Sequence, residues 1–304
     1  MSSASQDKLV NASRIRELRA IGYAALSFGP LGLDMKQCFS DLLNLTVAPE
    51  MRAEFLEARI ALCIAGRMRP AKTVRAIKNL KELRTQAGQL DQFEAFEQLF
   101  HLSLGTLTLT NHAYSETTFA NLDHGLVWQL VKEHIRSLQD AGYHVFLNSG
   151  TLLGVVRDQR LIDHDDDIDL AVVLNATDAE SAVQEWLHLT ETLRQAGVLD
   201  LEKFADPAIL KLASPSKLHI DLFPCWFEDD AAFIYPHSFG EVGRHDIFPL
   251  QPCAVTGGPI PADPAKVLAQ NYGEDWQHPD PYFKFPWNVA YQKFATFLTG
   301  VRAA

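Results

Sequence analysis

Between Asn148 and Leu174 the chain reads NSGTLLGVVRDQRLIDHDDDIDLAVVL. Five aspartates, Asp163, Asp165, Asp166, Asp167 and Asp169, fall within seven positions, just ahead of an apolar run. Alternate side chains of a strand share a face. A strand through DIDLAVVL therefore sets Asp167 and Asp169 on one side and Ile168, Leu170 and Val172 on the other. With Cα atoms about 7 Å apart, the two carboxylates can converge on one divalent cation. Without a cation they repel at neutral pH, and one must take a proton. Oxygen ligands of this kind suit a hard cation, Mg²⁺ or Mn²⁺. In KLHIDLF the same alternation puts Lys217, His219, Asp221 and Phe223 on one face. If this strand neighbours the first, Asp221 joins the pair. Three carboxylates can then hold metal and take a proton from an attacking hydroxyl.

Upstream, FLNSGTLLGVVR reads as a strand passing through a Ser-Gly-Thr turn into a helix. Backbone N–H groups at such a helix start, with the hydroxyls of Ser149 and Thr151, make a cradle for donor phosphates. Gly150 leaves room for close approach, and Arg157 could clamp phosphate oxygens. A Gly-Thr turn alone says little; a strand-borne Asp-x-Asp within twenty residues makes the pair specific.

Plainer readings compete. An EF-hand loop through Asp163, Asp165 and Asp167 fails, because its sixth position is Ile168 and its twelfth Leu174, where glycine and glutamate belong. A His-Asp phosphohydrolase through His164 and Asp165 lacks the further helical histidines that chemistry needs. Asp163, Asp165 and Asp166 read equally well as a solvated acidic loop, and His219 reads more readily as a core histidine than as a ligand. Neither a P-loop nor a G-x-S-x-G elbow occurs.

The elements that must position these residues follow from composition and periodicity. The chain has 304 residues, 47% hydrophobic and 21% charged, with a net charge of −11. That is globular composition, and its acidity argues against general nucleic-acid binding. Four scattered cysteines, Cys38, Cys63, Cys225 and Cys253, read as reduced thiols. The N-terminal MSSASQDKLVNASR lacks the apolar core of a signal peptide. The uncharged stretch Ala20 to Leu33, broken by Gly22, Gly29, Pro30 and Gly32, is too short to span a bilayer. A cytoplasmic protein without a transmembrane segment is the expectation.

Residues 1–115 read as a helical domain, a candidate for acceptor binding. MRAEFLEARIALCIAG, AKTVRAIKNLKELRTQAG and DQFEAFEQLFHLSLG each show helical spacing and end at glycine. Arg67, Arg69, Lys72, Arg75, Lys78, Lys81 and Arg84 form a basic stripe against the single acid Glu82. It could dock an anionic acceptor or give peripheral membrane contact, although a solvated helix face is the plainer reading. Residues 116–304 read as a mixed α/β catalytic domain. Its first helix carries Leu122, Leu126, Leu130, Ile135, Val127, Val131 and Leu138 on one face and stops at Gly142. A later helix, ending at Gly197, is capped by Thr177 and Glu180.

Gly150-Thr151-Leu152-Leu153-Gly154, Arg157, Asp165-Asp166-Asp167-Ile168-Asp169 and His219-Ile220-Asp221-Leu222-Phe223-Pro224 together resemble the LicD family, which includes the fukutin-related proteins. The later Tyr272, Gly273 and Trp276 look like the same family's C-terminal block. The likeness runs from about residue 120 to 288. It implies a nucleotidyltransferase-like fold and a metal-dependent phosphotransferase. Such an enzyme moves a phospho-alcohol (phosphocholine, ribitol phosphate or glycerol phosphate) from a CDP-activated donor to a sugar hydroxyl of a glycan or glycolipid, releasing CMP. That activity belongs to cell-surface polysaccharide biosynthesis. The resemblance further implies that Asp167 and Asp169 are metal ligands, that Asp221 is a third ligand or the base, and that Ser149, Gly150, Thr151 and Arg157 hold donor phosphates. His164 stands where members often have an aromatic residue, which bears on donor recognition. The alternatives are a nucleotidyltransferase acting on a small molecule or protein with an NTP donor, and a helical adaptor whose transferase domain is inactive.

Overall fold

The computed structural model describes residues 3–111, 113–202, 206–214, 218–283 and 285–303. Two compact units emerge, Met1–Glu116 with Pro281–Lys284, and Thr117–Asp280 with Phe285–Ala304.

The first unit is helical: α1 (Ser3–Phe28), α2 (Met35–Leu43), α3 (Arg52–Ala65), α4 (Pro70–Gln86) and α5 (Leu90–Leu104), then a two-residue hairpin of β1 (Thr108–Leu109) and β2 (Tyr114–Ser115). Helix α3 lies at its centre because apolar side chains ring it. Ile60, Ala61 and Ile64 pack with Ile77, Leu80, Phe93 and Phe96, while Phe55, Ala58 and Leu62 pack with Ile15, Leu18, Phe39 and Leu42. One carboxylate enters this interior. Glu57 accepts from Arg19 Nε and Arg84 Nη2, both at 2.6 Å, so its burial is compensated on both oxygens.

The second unit is the expected mixed α/β fold. Helix α6 (His124–Asp140) is capped by Asp123, whose carboxylate accepts from Gly125 N at 2.8 Å. Its buried face is Val127, Val131, Ile135 and Leu138. Leu126, expected on that face, is 66% exposed, because the burial repeat starts one residue later. Strand β3 (His144–Leu147) leads into α7 (Ser149–Leu153), which continues as a single π turn over Gly154–Asp158. Then follow β4 (Asp167–Val173), α8 (Ala179–Gln195), β5 (Leu210–Leu212), β6 (His219–Glu228), β7 (Ala231–Ile234) and β8 (Ser238–Gly243). The chain ends with α9 (Arg244–Ile247), β9 (Gln251–Pro252), β10 (Pro259–Ile260), α10 (Pro264–Tyr272), α11 (Trp287–Lys293) and α12 (Ala295–Ala303).

The cap of α8 differs from the sequence expectation. Asp178, not Thr177, takes the N-cap position, and its partner is Ser181, whose N–H reaches Asp178 Oδ1 at 2.7 Å. Aspartate and serine satisfy the same free amides one residue further on.

The sheet runs β3-β4-β6-β7-β8, with β5 also on β6. β4 and β6 are parallel, joined by a crossover carrying α8; β3 is antiparallel to β4, and β5 and β7 are antiparallel to β6. Both faces of the central strands are covered, so β4 is buried from Ile168 to Val173, as a parallel pair requires. The four cysteines are free thiols, three of them buried. Among the described residues no helix is long and apolar enough to cross a membrane.

Candidate functional site

The register of the sheet builds the site. Asp169 on β4 pairs with Asp221 on β6, and Asp221 pairs on its other flank with Lys211 on β5. Beyond Leu147, which pairs with Leu170, Asn148 donates its N–H to the Asp169 carbonyl at 3.0 Å. Asn148, Asp169, Asp221 and Lys211 thus form one row across four strands, and side chains in such a row share a face. Asp167, two residues before Asp169, joins from the same face. Asp167, Asp169 and Asp221 each bring a carboxylate oxygen within 4.8 Å of the others, and Asp165, Asp166 and Asp167 do likewise. Asp169 and Asp221 are buried and Asp167 half-buried.

Such crowding is costly without counter-charge. Asp165 and Asp169 are both pushed well above the ordinary carboxylate value, by burial first and then by the negative charge of Asp167; Asp221 adds to the effect at Asp169. Among the described residues Lys211 supplies a cation, its Nζ bonded to Asp221 Oδ2.

The Ser-Gly-Thr turn grips Asp169. Gly150 N–H donates to Asp169 Oδ2 at 2.9 Å, and Asp169 N–H donates to Thr151 Oγ1 at 2.8 Å. Ser149 takes φ +43°, a left-handed conformation that costs a non-glycine residue about 1–2 kcal/mol; it swings the chain from β3 into α7. A Cβ at Gly150 would lie 2.8 Å from Asp165 Oδ2 and 3.3 Å from Asp169 Oδ2. What approaches this glycine is therefore the carboxylate cluster. Ser149 Oγ faces His237 Nε2 at 3.2 Å. Burial depresses this imidazole to about 3, so it is neutral near pH 7. Arg157, in the π turn, is held by Asp158 through Nε and Nη2, both at 2.8 Å, and its Nη1 lies 3.5 Å from the Trp276 carbonyl. Its charge is felt by Tyr272, whose hydroxyl is raised well above normal by burial and then by Asp169, Asp165 and Asp167.

Asp167, Asp169 and Asp221 converge, Gly150 and Thr151 fasten Asp169, and Ser149 and Arg157 bond to other neighbours. His219 pairs in register with Asp167. Lys217, placed by alternation on the Asp221 face, lies outside the described residues. Sequence reasoning missed three residues. Lys211 sits in a three-residue strand, His237 follows a strand 88 residues after Ser149, and Asn148 belongs to no spacing pattern. Asn148 is fully buried, and neither its amide oxygen nor its nitrogen has a hydrogen-bond partner among the described residues.

Residues 142–263 match the LicD/FKTN/FKRP nucleotidyltransferase domain family. Over that span the chain is similar to a LicD domain. Comparison with curated proteins gives no match. The LicD match opens just before β3 and closes at Asp263, the N-cap of α10. It encloses Asn148, Asp167, Asp169, Lys211, Asp221 and His237; Tyr272, Gly273 and Trp276 lie beyond it. LicD domains belong to a transferase family.

The donor set fits a hard divalent cation. It consists of carboxylate oxygens within one coordination sphere, two of its aspartates hold protons above their normal range, and a buried amide without a partner stands beside them.

Proposed function

We propose that this LicD-like domain is a metal-dependent phosphotransferase, moving a phospho-alcohol from a CDP-activated donor to a sugar hydroxyl of a glycan. The convergence of Asp167, Asp169 and Asp221 carries the reading. Asp167, Asp169 and Asp221 would hold Mg²⁺ or Mn²⁺, which when bound neutralises the donor diphosphate and the departing nucleotide. The acceptor oxygen forms a bond to the phosphorus that bears the alcohol. The bridging P–O bond breaks, and CMP leaves with its electron pair. Asp221 takes the hydroxyl proton. Gly150 and Thr151 keep the Asp169 carboxylate aimed by gripping its oxygen and its backbone. Asn148 offers an amide to donor or cation from the same row, and Ser149 and Arg157 border the donor phosphates.

The test incubates the protein and its Asp167→Asn variant with Mn²⁺, an acceptor glycan and a panel of CDP-alcohols, and in parallel with NTPs. The proposal expects CMP from a CDP-alcohol with the native protein and none with the variant, both having the same circular dichroism. Pyrophosphate from an NTP would instead establish nucleotidyl transfer, and a fully active, metal-independent variant would refute the assignment.

A further inference from the structure

In the helical unit most arginines on α1 and α4 that approach an acid are neutralised by it. Arg14 bonds Glu17 and Asp41, Arg16 bonds Glu54, and Arg19 and Arg84 share Glu57. A second group differs. Arg52 and Arg59 on α3, Arg67 and Arg69 in the α3–α4 turn and Arg75 on α4 make no ion pair among the described residues. Arg59 lies close enough to Arg52, Arg69 and Arg75 that, beyond the effect of its burial, all three lower its affinity for a proton. Several rest on aromatic rings: Arg69 lies 5.0 Å from the Phe39 centroid, Arg52 5.9 Å from Phe55 and Arg67 5.7 Å from Tyr114.

The turn that displays two of them is held in a strained shape. Arg67 and Arg69 both have φ +50°, which a non-glycine residue keeps only where its surroundings fix it. Between them, the Met68 carbonyl accepts from Tyr114 OH at 2.9 Å and Thr73 Oγ1 at 3.2 Å. In a chain of net charge −11, a fixed set of uncompensated guanidiniums points to an anionic partner.

Apolar surface adjoins it. Arg67 lies on the wall of a groove of about 560 Å³ shared with Leu26, Leu31, Leu33, Met35 and Ile64. Phe28 and Leu102, each one residue along the chain from a groove-lining residue, Gly29 and Ser103, are exposed by 84% and 81%. Arg52 and Arg59, seven residues apart on one helix, are spread about 10 Å along its axis, a spacing that suits a carpet of phosphates better than one small anion. Protruding apolar side chains beside spread cations match the headgroup and acyl layers of a membrane.

We propose that the α3–α4 face of this protein docks on an anionic lipid bilayer, with Arg52, Arg67, Arg69 and Arg75 on lipid phosphates and Phe28, Leu31 and Leu102 entering the acyl boundary. The transfer reaction plays no part in this proposal.

Full-length protein floated with vesicles of 70% phosphatidylcholine and 30% phosphatidylglycerol tests it. Recovery should exceed that with pure phosphatidylcholine at least tenfold and should fall as salt rises. Each arginine near such a surface contributes roughly fivefold, so Arg69→Ala with Arg75→Ala should weaken partitioning about 30-fold. Phe28→Ser with Leu102→Ser, which leaves every arginine in place, should weaken it about tenfold or more. Both variants alter exposed side chains and should keep the native circular dichroism spectrum. Equal recovery with the two vesicle types, no recovery, or native binding by either variant would overturn the proposal. So would release by 10 mM inorganic phosphate (roughly ten millimolar, at constant ionic strength), which would mark a discrete phosphate site.

Discussion

Lys211 and Asp221 are direct cross-strand partners, and the lysine Nζ bonds the very carboxylate that completes the aspartate cluster. On the proposed function, a divalent cation entering the site competes with this ammonium for Asp221. Lys211→Met should therefore tighten Mn²⁺ binding about tenfold, the weight of one charge-assisted hydrogen bond, while turnover falls. Isothermal titration of Mn²⁺ checks it; an unchanged affinity would show that Lys211 and the cation do not compete.

The raised values of Asp165 and Asp169 give stability a definite pH dependence. The folded state holds protons that the unfolded chain has already released, so the metal-free protein loses stability as pH rises from the ordinary carboxylate range through the folded values. Its melting temperature should fall over that interval, and saturating Mn²⁺ should flatten the profile. Asp169→Asn should raise the metal-free melting temperature at pH 7 by about 2 °C or more. Calorimetry against pH, with and without metal, decides the point; a metal-free profile rising with pH would contradict it.

Gly150 is a steric requirement. A methyl there meets Asp165 Oδ2 at 2.8 Å, with Asp169 Oδ2 at 3.3 Å, yet the position has an ordinary negative φ. Gly150→Ala should leave the melting temperature within about 3 °C while weakening Mn²⁺ binding by roughly tenfold, because displaced carboxylates coordinate poorly. Titration of native and variant protein compares the two.

Glu57 is buried and paired with both Arg19 and Arg84. Replacing it with Ala leaves the buried Arg84 without its acid, while the part-exposed Arg19 can turn to water, and should cost about 3 kcal/mol, read from urea unfolding. Glu57→Gln, which keeps the shape but not the charge, should also destabilise.

The strands bearing Asp167, Asp169 and Asp221 were legible because each alternates apolar and polar residues over several positions, so period alone assigned the faces. Lys211 was not. Leu-Lys-Leu is too short to display a period, and a single lysine among leucines looks solvated; its meaning arises only where β5 pairs with β6. Asn148 and His237 carry no spacing signal, since folding alone brings them to the site. The α8 cap slipped by one residue because Thr177-x-x-Glu180 and Asp178-x-x-Ser181 are both plausible caps, and only geometry chooses between them. The Ser-Gly-Thr turn was visible as a motif, but its hold on Asp169 was not, because the amide's partner lies 19 residues away.

The parallel ladder between β4 and β6 works like a gear. Asp169 faces Asp221 because every rung from Asp167–His219 to Val173–Cys225 is in step, and a slip of one tooth would present Ile220 or Leu222 in place of the acid. The spacing of the carboxylates is thus stored in backbone hydrogen bonds, shielded from drift in the surrounding side chains. Insertions in the crossover leave the mesh intact, whereas losing a single residue inside either strand would disengage it at a stroke.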